Sequence, residues 1–217
     1  NSLAFVQTYL AAAWLGAAFV PVNFRLAAGE VERVLRDSGA VAAVLEPGHA
    51  TVLAETGVRL GAVLVVDDDP AVPLQTSLPD GWQAVSERAD LDPGPPVARR
   101  ENDLAVLMFT SGTTGRPKGV QLTQGNIWWN GVNVDSVTDC RRDDVNLAVA
   151  PLFHIGALNS FTLRSLNRGG TTVIRRVFDP ARTLQDLVHH RVNALFAVPA
   201  MFAAIARVPG FADADLS

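Results

Sequence analysis

A loop rich in glycine and hydroxyl side chains follows an apolar segment, residues 104–109. Glycines let the backbone turn tightly and bring its N–H groups close to an anion, and hydroxyl groups donate to phosphate oxygens. Lys118 adds a mobile positive charge suited to the β- and γ-phosphates of a nucleotide, and Pro117 stiffens its approach. The pattern predicts a phosphate-binding loop formed by Thr110, Ser111, Gly112, Thr113, Thr114, Gly115 and Lys118.

This loop differs from the Walker A loop of P-loop nucleotidases, whose spacing is Gly-x4-Gly-Lys-Ser/Thr. Pro117 precedes Lys118 here and Gly119 follows it, which excludes that class. A glycine-rich turn between two strands is the structural alternative. Ten consecutive residues, 110–119, nevertheless match the signature loop of the adenylate-forming enzymes. The chain therefore resembles this superfamily of acyl-CoA synthetases, luciferases and peptide-synthetase adenylation domains.

Further segments resemble the same family, so the likeness extends over nearly the whole chain. They are residues 16–26, 119–126, 150–156 and 198–201. One difference is Gln124, where the family commonly has a histidine. The resemblance implies that a carboxylate attacks the α-phosphate of Mg²⁺-ATP to give an acyl-adenylate and pyrophosphate. Coenzyme A then takes the acyl group and releases AMP, so ATP, Mg²⁺ and coenzyme A are the expected cofactor and co-substrates.

The resemblance also implies roles for individual residues. The loop hydroxyls and Lys118 would hold the departing pyrophosphate, while Thr110 and the glycines shape the loop. The predicted catalytic residues are Lys118 and His154, the predicted acid-binding residues are His154 and Gly156, and no metal ligand is predicted. Arg116 stays open between a phosphate contact and an exposed side chain.

The dipeptide Phe153-His154 bears on the choice of acid. Adenylation domains for amino acids usually have Phe-Asp at this place, and their aspartate pairs with the α-ammonium group. An amino acid would leave its ammonium unpaired beside His154, at a cost of several kcal/mol. We therefore expect an uncharged acyl chain, a medium- or long-chain fatty acid. Trp128 and Trp129 stay open between lining an acyl pocket and ordinary core packing.

Alternating helical and apolar segments predict an α/β fold with parallel sheets covered by helices. The predicted helices cover residues 2–16, 28–38, 47–56, 124–137 and 155–167, and two more begin at Pro180 and Pro199. The predicted strands cover residues 18–22, 41–45, 62–66, 104–109, 145–149, 171–174 and 194–198. We expect two αβα lobes, residues 1–88 and 104–217, joined by a proline-rich linker at 89–103.

Composition and charge limit the partners and the cellular location expected of the protein. A net charge of −4 and the lack of a long basic run exclude the electrostatic pattern of a nucleic-acid binder. Cys140 is the only cysteine, so an internal disulfide is excluded and a reducing, cytoplasmic location is expected, with an unreactive thiol. The densest apolar stretch, residues 9–20, is shorter than the about 20 residues of a membrane span. Peripheral membrane association and oligomeric state stay open.

In the family, the adenine-binding segment, a ribose-binding aspartate and a C-terminal domain with a catalytic lysine lie beyond the part that this chain resembles. We therefore expect part of the large N-terminal domain, unable by itself to complete either half-reaction. Two alternatives stay open. One is a non-catalytic module that binds a nucleotide or an acyl group, and the other is an enzyme that loads the acyl group onto a carrier protein.

Overall fold

Helices and strands alternate along the chain, which confirms the predicted α/β class with parallel sheets. The computed structural model describes residues 1–67, 69–74, 77–88, 90, 92–110 and 117–217. The α-helices are α1 (Leu3–Trp14), α2 (Ala28–Ser38), α3 (Ala50–Glu55), α4 (Gln124–Val137), α5 (Leu163–Arg168), α6 (Pro180–His189) and α7 (Pro199–Ala206). The strands are β1 (Ala42–Leu45), β2 (Ala62–Val65), β3 (Gln83–Ala84), β4 (Leu104–Thr110), β5 (Lys118–Thr123), β6 (Val145–Ala148), β7 (Thr171–Ile174) and β8 (Ala194–Leu195).

Contacts divide the chain into two compact units. The first unit comprises Gln7–Arg99 and Leu104–Gln121, and the second comprises Asn1–Val6, Arg100–Asp103 and Leu122–Ser217. The contacts thus group β4 with the preceding segment of the chain, whereas the sequence places residues 104–217 in one lobe. The predicted lobes and the linker at 89–103 stay a prediction about domain boundaries.

The first unit contains a parallel sheet in the order β1-β2-β3. Leu35 of α2 and Leu53 of α3 pack with Val63 of β2 in a common apolar cluster. Helix α2 begins where the Ala27 N–H donates to the Glu30 carboxylate at 3.0 Å. It ends at Gly39, whose φ of 65° is readily adopted by glycine. The sequence predicted this helix with its observed bounds.

The predicted strand at residues 18–22 is wrong. Only Phe19 pairs there, through one parallel bridge to Val106 of β4. Its N–H donates to the Ala105 carbonyl, and its own carbonyl accepts from the Leu107 N–H, both at 2.9 Å. Pro21 follows two residues later and has no N–H to donate, so the ladder cannot continue in the same pattern.

The second unit contains a parallel sheet in the order β7-β6-β8. Strand β6 lies in the centre and supplies Leu147, which is fully buried in the main apolar cluster of this unit. The chain returns from β6 to β7 through a helical segment and from β7 to β8 through α6. Asp179 caps α6 by accepting from the Arg182 N–H at 2.7 Å, as its position before Pro180 predicts.

Two helical predictions need correction, and one of the alternatives left open for Trp128 and Trp129 is excluded. The predicted helix at 155–167 is a π-helix over Gly156–Thr162 followed by α5, and the predicted helix at 47–56 is a 3₁₀ turn over Pro47–His49 followed by α3. Trp128 and Trp129 do lie on α4, but they are 65% and 55% exposed and are not core residues. Apolar patterns in segments this short do not distinguish α, π and 3₁₀ hydrogen bonding, because one or two turns are too few to separate their different periods.

Two glycines of the second unit give a matched test of packing. A Cβ on Gly170 would lie 2.8 Å from both the Asp144 carbonyl oxygen and Ser165 Oγ, whereas a Cβ on Gly131 of α4 would meet nothing within 4 Å. We expect Gly170→Ala to lower the free energy of unfolding by about 1–3 kcal/mol through overpacking. Gly131→Ala should instead raise it by about 0.4–1 kcal/mol. Urea unfolding of both variants measures this, and equal changes would contradict the described packing.

Candidate functional site

The two ends of the predicted phosphate-binding loop lie in the first unit. Thr110 is the last residue of β4 and Lys118 the first of β5, and these two strands form one sheet. Both side chains are exposed, so a hydroxyl donor and an ammonium group are open to an anion at the two ends of the loop. Ser111, Gly112, Thr113, Thr114, Gly115 and Arg116 lie outside the described residues.

Packing explains why a glycine follows Lys118. A Cβ on Gly119 would lie 3.0 Å from Leu107 Cδ1 and 3.4 Å from the Phe109 ring. A side chain there would therefore press on β4 and disturb the start of β5, on which Lys118 lies. The sequence did not predict β5 as a strand, since its residues are exposed over most of its length and carry little apolar alternation.

The other predicted site residues lie in the second unit, after the carboxyl end of β6. The His154 N–H donates to the Pro151 carbonyl at 3.1 Å, and its carbonyl accepts from the Leu158 N–H at 3.1 Å. The imidazole is exposed and lies against the Phe153 ring, with centroids 4.3 Å apart. In parallel sheets, ligands bind outside the carboxyl ends of the strands, which is where His154 and Gly156 are found.

Asn1 holds the segment that leads to His154. Its side-chain amide donates to the Ala150 carbonyl at 2.9 Å, and its side-chain oxygen accepts from the Leu152 N–H at 2.8 Å. The Asn1 side chain thus supplies one donor and one acceptor to the backbone of residues 150 and 152, as a neighbouring strand would. Sequence reasoning missed Asn1 because its partners are about 150 positions away, and no local pattern signals such a contact.

The π-helix begins at Gly156 and is stabilised by hydrogen bonds at its C-terminal end. Thr162 is buried, and its hydroxyl donates to the Ala157 carbonyl five residues earlier at 2.9 Å. The Leu163 N–H donates to the Leu158 carbonyl with the same five-residue spacing. Single π turns within helices often occur at functional sites. Sequence reasoning identified Gly156 but missed Thr162, since a threonine in an apolar helix carries no distinctive signal.

A partly buried ion-pair cluster joins α4 to α5 beside this π-helix. Asp135 accepts from Arg164 and from Arg168, the latter with Nε at 2.9 Å. The Arg164 side chain is only 2% exposed, and it also lies over the Phe161 ring at 5.7 Å. Burial acts to raise the pKa of Asp135, but hydrogen bonds from Arg168 and Arg164 outweigh it and hold that pKa below the usual carboxyl range.

Cys140 is not suited to nucleophilic chemistry. Burial is the largest influence on this thiol and raises its pKa, and a hydrogen bond with Asp144 acts in the same direction. The thiolate is the reactive form of cysteine, so both effects lower reactivity at neutral pH. Among the described residues, no cluster of three or more His, Cys, Asp or Glu side chains could hold a metal ion.

The chain thus combines an α/β fold with a loop, between β4 and β5, that is rich in glycine and hydroxyl residues and ends at Lys118. The chain belongs to the AMP-binding enzyme family, because the family model matches residues 1–217. It is 41% identical over its whole length to a feruloyl-CoA synthase from an Amycolatopsis species, of which it covers 40%. It is also 33% identical, over 99% of its length, to the long-chain-fatty-acid–CoA ligase FadD13 of Mycobacterium tuberculosis, of which it covers 41%.

Solved structures agree with this family. The chain matches the inhibitor-bound N-terminal domain of FACL13 from Mycobacterium tuberculosis with a TM-score of 0.82 and 32% identity. That match covers 100% of this chain and 52% of the FACL13 chain. The chain thus spans about two fifths of the length of the curated relatives it matches. In the part that the structure describes, no helix is both long and apolar enough to cross a bilayer.

Proposed function

We propose that the protein carrying this chain activates, with ATP, an organic acid whose acyl chain is uncharged, and transfers the acyl group to coenzyme A. The match of the AMP-binding enzyme family over residues 1–217 is the observation that carries this proposal. The acid's carboxylate attacks the α-phosphate, pyrophosphate leaves, and the coenzyme A thiol then attacks the acyl carbon and displaces AMP. Mg²⁺ accompanies ATP and supplies positive charge at the phosphates. A cytoplasmic location fits these substrates.

The loop between β4 and β5 holds the phosphates in this proposal. Lys118, exposed at the C-terminal end of the loop, stabilises the charge that develops on the departing pyrophosphate together with Ser111, Thr113 and Thr114, while Thr110 at the other end shapes the loop. Gly112 and Gly115 let backbone N–H groups approach the same oxygens. The protein contributes mainly positioning and electrostatic stabilisation to this step, because the carboxylate of the acid is itself the nucleophile.

The acid lies beside His154 and Gly156 in this proposal. Phe153 and His154 supply no carboxylate for an amino acid's ammonium group, which favours an acid with an uncharged acyl chain. Two acid classes are candidates. A medium- or long-chain fatty acid is the class expected from the sequence, and one relative is a long-chain-fatty-acid–CoA ligase at 33% identity. An aromatic acid is favoured by the higher identity, 41%, to a feruloyl-CoA synthase.

Acid-dependent exchange of pyrophosphate into ATP tests the first half-reaction. Ferulate, decanoate, palmitate and phenylalanine form a suitable panel, with the whole protein and the 217-residue chain assayed side by side. Exchange with ferulate or a fatty acid, but not with phenylalanine, is expected of the whole protein. If the folded whole protein shows no exchange with any acid, the proposal is wrong. The assay of the 217-residue chain alone tests the prediction that this chain is inactive by itself.

The acceptor is tested separately. Mass spectrometry should detect an acyl-CoA thioester when coenzyme A is added to an acid that supports exchange. Exchange without a thioester would instead favour transfer to a carrier protein. Nucleotide or acid binding without exchange would favour a non-catalytic binding module.

A further inference from the structure

Asn146 is a buried amide in the middle of the second unit's sheet. It lies on the central strand β6, opposite Thr172 of β7, and only 1% of it is exposed. Its side-chain nitrogen is 3.5 Å from the hydroxyls of both Thr162 and Thr172, longer than a usual hydrogen bond. Its side-chain oxygen is buried and has no hydrogen-bond partner in the part of the chain that the structure describes. Burying an amide with such weak bonds lowers stability, so packing alone does not account for this residue.

Thr162 connects this amide to the hydrogen bonding of the π-helix. Its hydroxyl donates to the Ala157 carbonyl, five residues earlier, at 2.9 Å. In an α-helix a threonine hydroxyl bonds to a carbonyl three or four residues earlier, so this bond fits the wider π spacing. Asn146 donates to the same hydroxyl oxygen, which leaves the hydroxyl proton free to point at Ala157. The two side chains therefore favour the π spacing over the α spacing.

Leu158 connects that spacing to the segment that carries His154. The Leu158 carbonyl accepts from the Leu163 N–H, with the five-residue spacing of a π-helix. Its own N–H donates to the His154 carbonyl at 3.1 Å, with the four-residue spacing of an α-helix. If Leu163 bonded to Asn159 instead, as in an α-helix, the turn before it would rotate about the helix axis. His154 and Gly156 would then move away from their present places after β6.

We propose that Asn146 and Thr162 are positioning residues, which hold residues 156–162 in π spacing and thereby fix the place of His154. This inference rests on the proposed function, in which the acid lies beside His154. Both side chains belong to residues that are only 1% exposed, so they act through the hydrogen bonds of the helix and not by contact with a ligand. A buried asparagine can select one helical arrangement over another at a cost in stability.

Removing the Thr162 hydroxyl should impair use of the acid and spare use of ATP. In the whole protein, we expect Thr162→Val to lower kcat/KM for an acid that supports exchange by about tenfold or more, because small displacements of site residues slow a reaction strongly. The KM for ATP should stay within about twofold, since both ends of the predicted phosphate-binding loop lie in the first unit. Thr162→Ser keeps the hydroxyl and should keep most of the rate.

Asn146→Leu tests the other member of the pair and protects the experiment if Thr162→Val folds poorly. It removes a weakly bonded buried amide, so we expect Tm to stay the same or to rise. Without this amide the Thr162 hydroxyl is less well oriented, and kcat/KM for the acid should fall by about threefold or more. A rate that stays unchanged in folded Asn146→Leu would overturn the role of this amide.

Thr183→Val is the matched control for the loss of a buried threonine hydroxyl. Thr183 is also 1% exposed, and its hydroxyl donates at 2.6 Å to the carbonyl of Asp179, four residues earlier, at the start of α6. This control should lower Tm and leave kcat/KM for the acid within about twofold. An equal fall of kcat/KM in Thr183→Val and Thr162→Val would contradict the inference, because lost stability would then explain both.

A crystal structure of Thr162→Val separates this inference from the proposed function. The Leu163 N–H should bond to the Asn159 carbonyl in the variant and to the Leu158 carbonyl in the wild type. If the variant keeps the Leu158 bond, the inference is wrong and the proposed function stands. If the wild type shows no exchange with any acid, the proposed function is wrong, and the helix spacing in the variant still decides whether Thr162 sets it.

Discussion

Lys118→Ala is expected to slow acid-dependent pyrophosphate exchange by about 10²- to 10³-fold. That magnitude is typical when one preorganised donor to a developing negative charge is removed. Lys118 is exposed at the start of β5, so its loss should change the free energy of unfolding by less than about 0.5 kcal/mol. The rate of exchange and the urea midpoint, measured on the same preparations, separate the two effects.

A matched control for charge is Arg33→Ala, which removes another exposed cation of the first unit, on α2. It should keep the full rate of exchange. Lys118 is also the only lysine of these 217 residues, so amine labelling found at a lysine within this chain reports on it alone. ATP should protect it from labelling. If Lys118→Ala exchanged pyrophosphate at the full rate, the prediction that Lys118 binds the departing pyrophosphate would be wrong.

Asp135→Ala is expected to lower the free energy of unfolding by about 3–5 kcal/mol. The variant leaves the guanidinium of Arg164, with a side chain only 2% exposed, buried without its carboxylate. One nitrogen of that group, Nη2, already has no hydrogen-bond partner among the described residues. The charge cannot be relieved by deprotonation, because arginine stays protonated in proteins. Chemical denaturation of the variant and the wild type measures the difference.

Asp139→Ala supplies the control for this second prediction. Asp139 also pairs with an arginine, Arg141, at 2.6 Å, but both side chains are largely exposed. Its loss should cost far less stability than that of Asp135, because an exposed ion pair is screened by solvent and contributes little. A similar loss of stability in the two variants would contradict the role of Asp135 as the partner of the buried Arg164.

The same carboxylate gives stability a pH dependence of known sign. The pKa of Asp135 is lower in the folded chain than its ordinary value, as its two arginine partners require. Its stabilisation is therefore present above the unfolded-state pKa and is lost as the pH falls through the lowered folded-state pKa. In Asp135→Asn, this part of the acid-dependent loss of stability should be absent.

Local patterns were enough to predict many of the elements. The bounds of α2 follow from its amphipathic spacing and from Gly39, and the start of α6 follows from the Asp179-Pro180 pair. Strands β1, β2, β6 and β7 lie within or at their predicted ranges, because apolar runs between turn residues suit strands covered by helices. These signals act over a few residues, so the sequence displays them directly.

Other features depend on contacts between distant residues. Phe19 forms a single bridge because Val106 lies beside it, and Asn1 holds residues 150 and 152 through its side chain. The exposed strand β5 forms because β4 offers it an edge to pair with. Whether a helix takes π or α spacing is likewise settled by packing around it, as at residues 156–162.

The sequence by itself determined the family, the α/β class and the residue types of the loop that ends at Lys118. These conclusions follow from motifs and apolar patterns within short stretches of the chain. Only the tertiary structure decided that Arg164 is buried against Asp135, and that Phe196 takes the space beside Gly156. The physical reason is that burial and close packing depend on which strands become neighbours. The reason for a glycine at residue 156 is visible only in the folded chain, where the Phe196 ring fills the space that a side chain there would need.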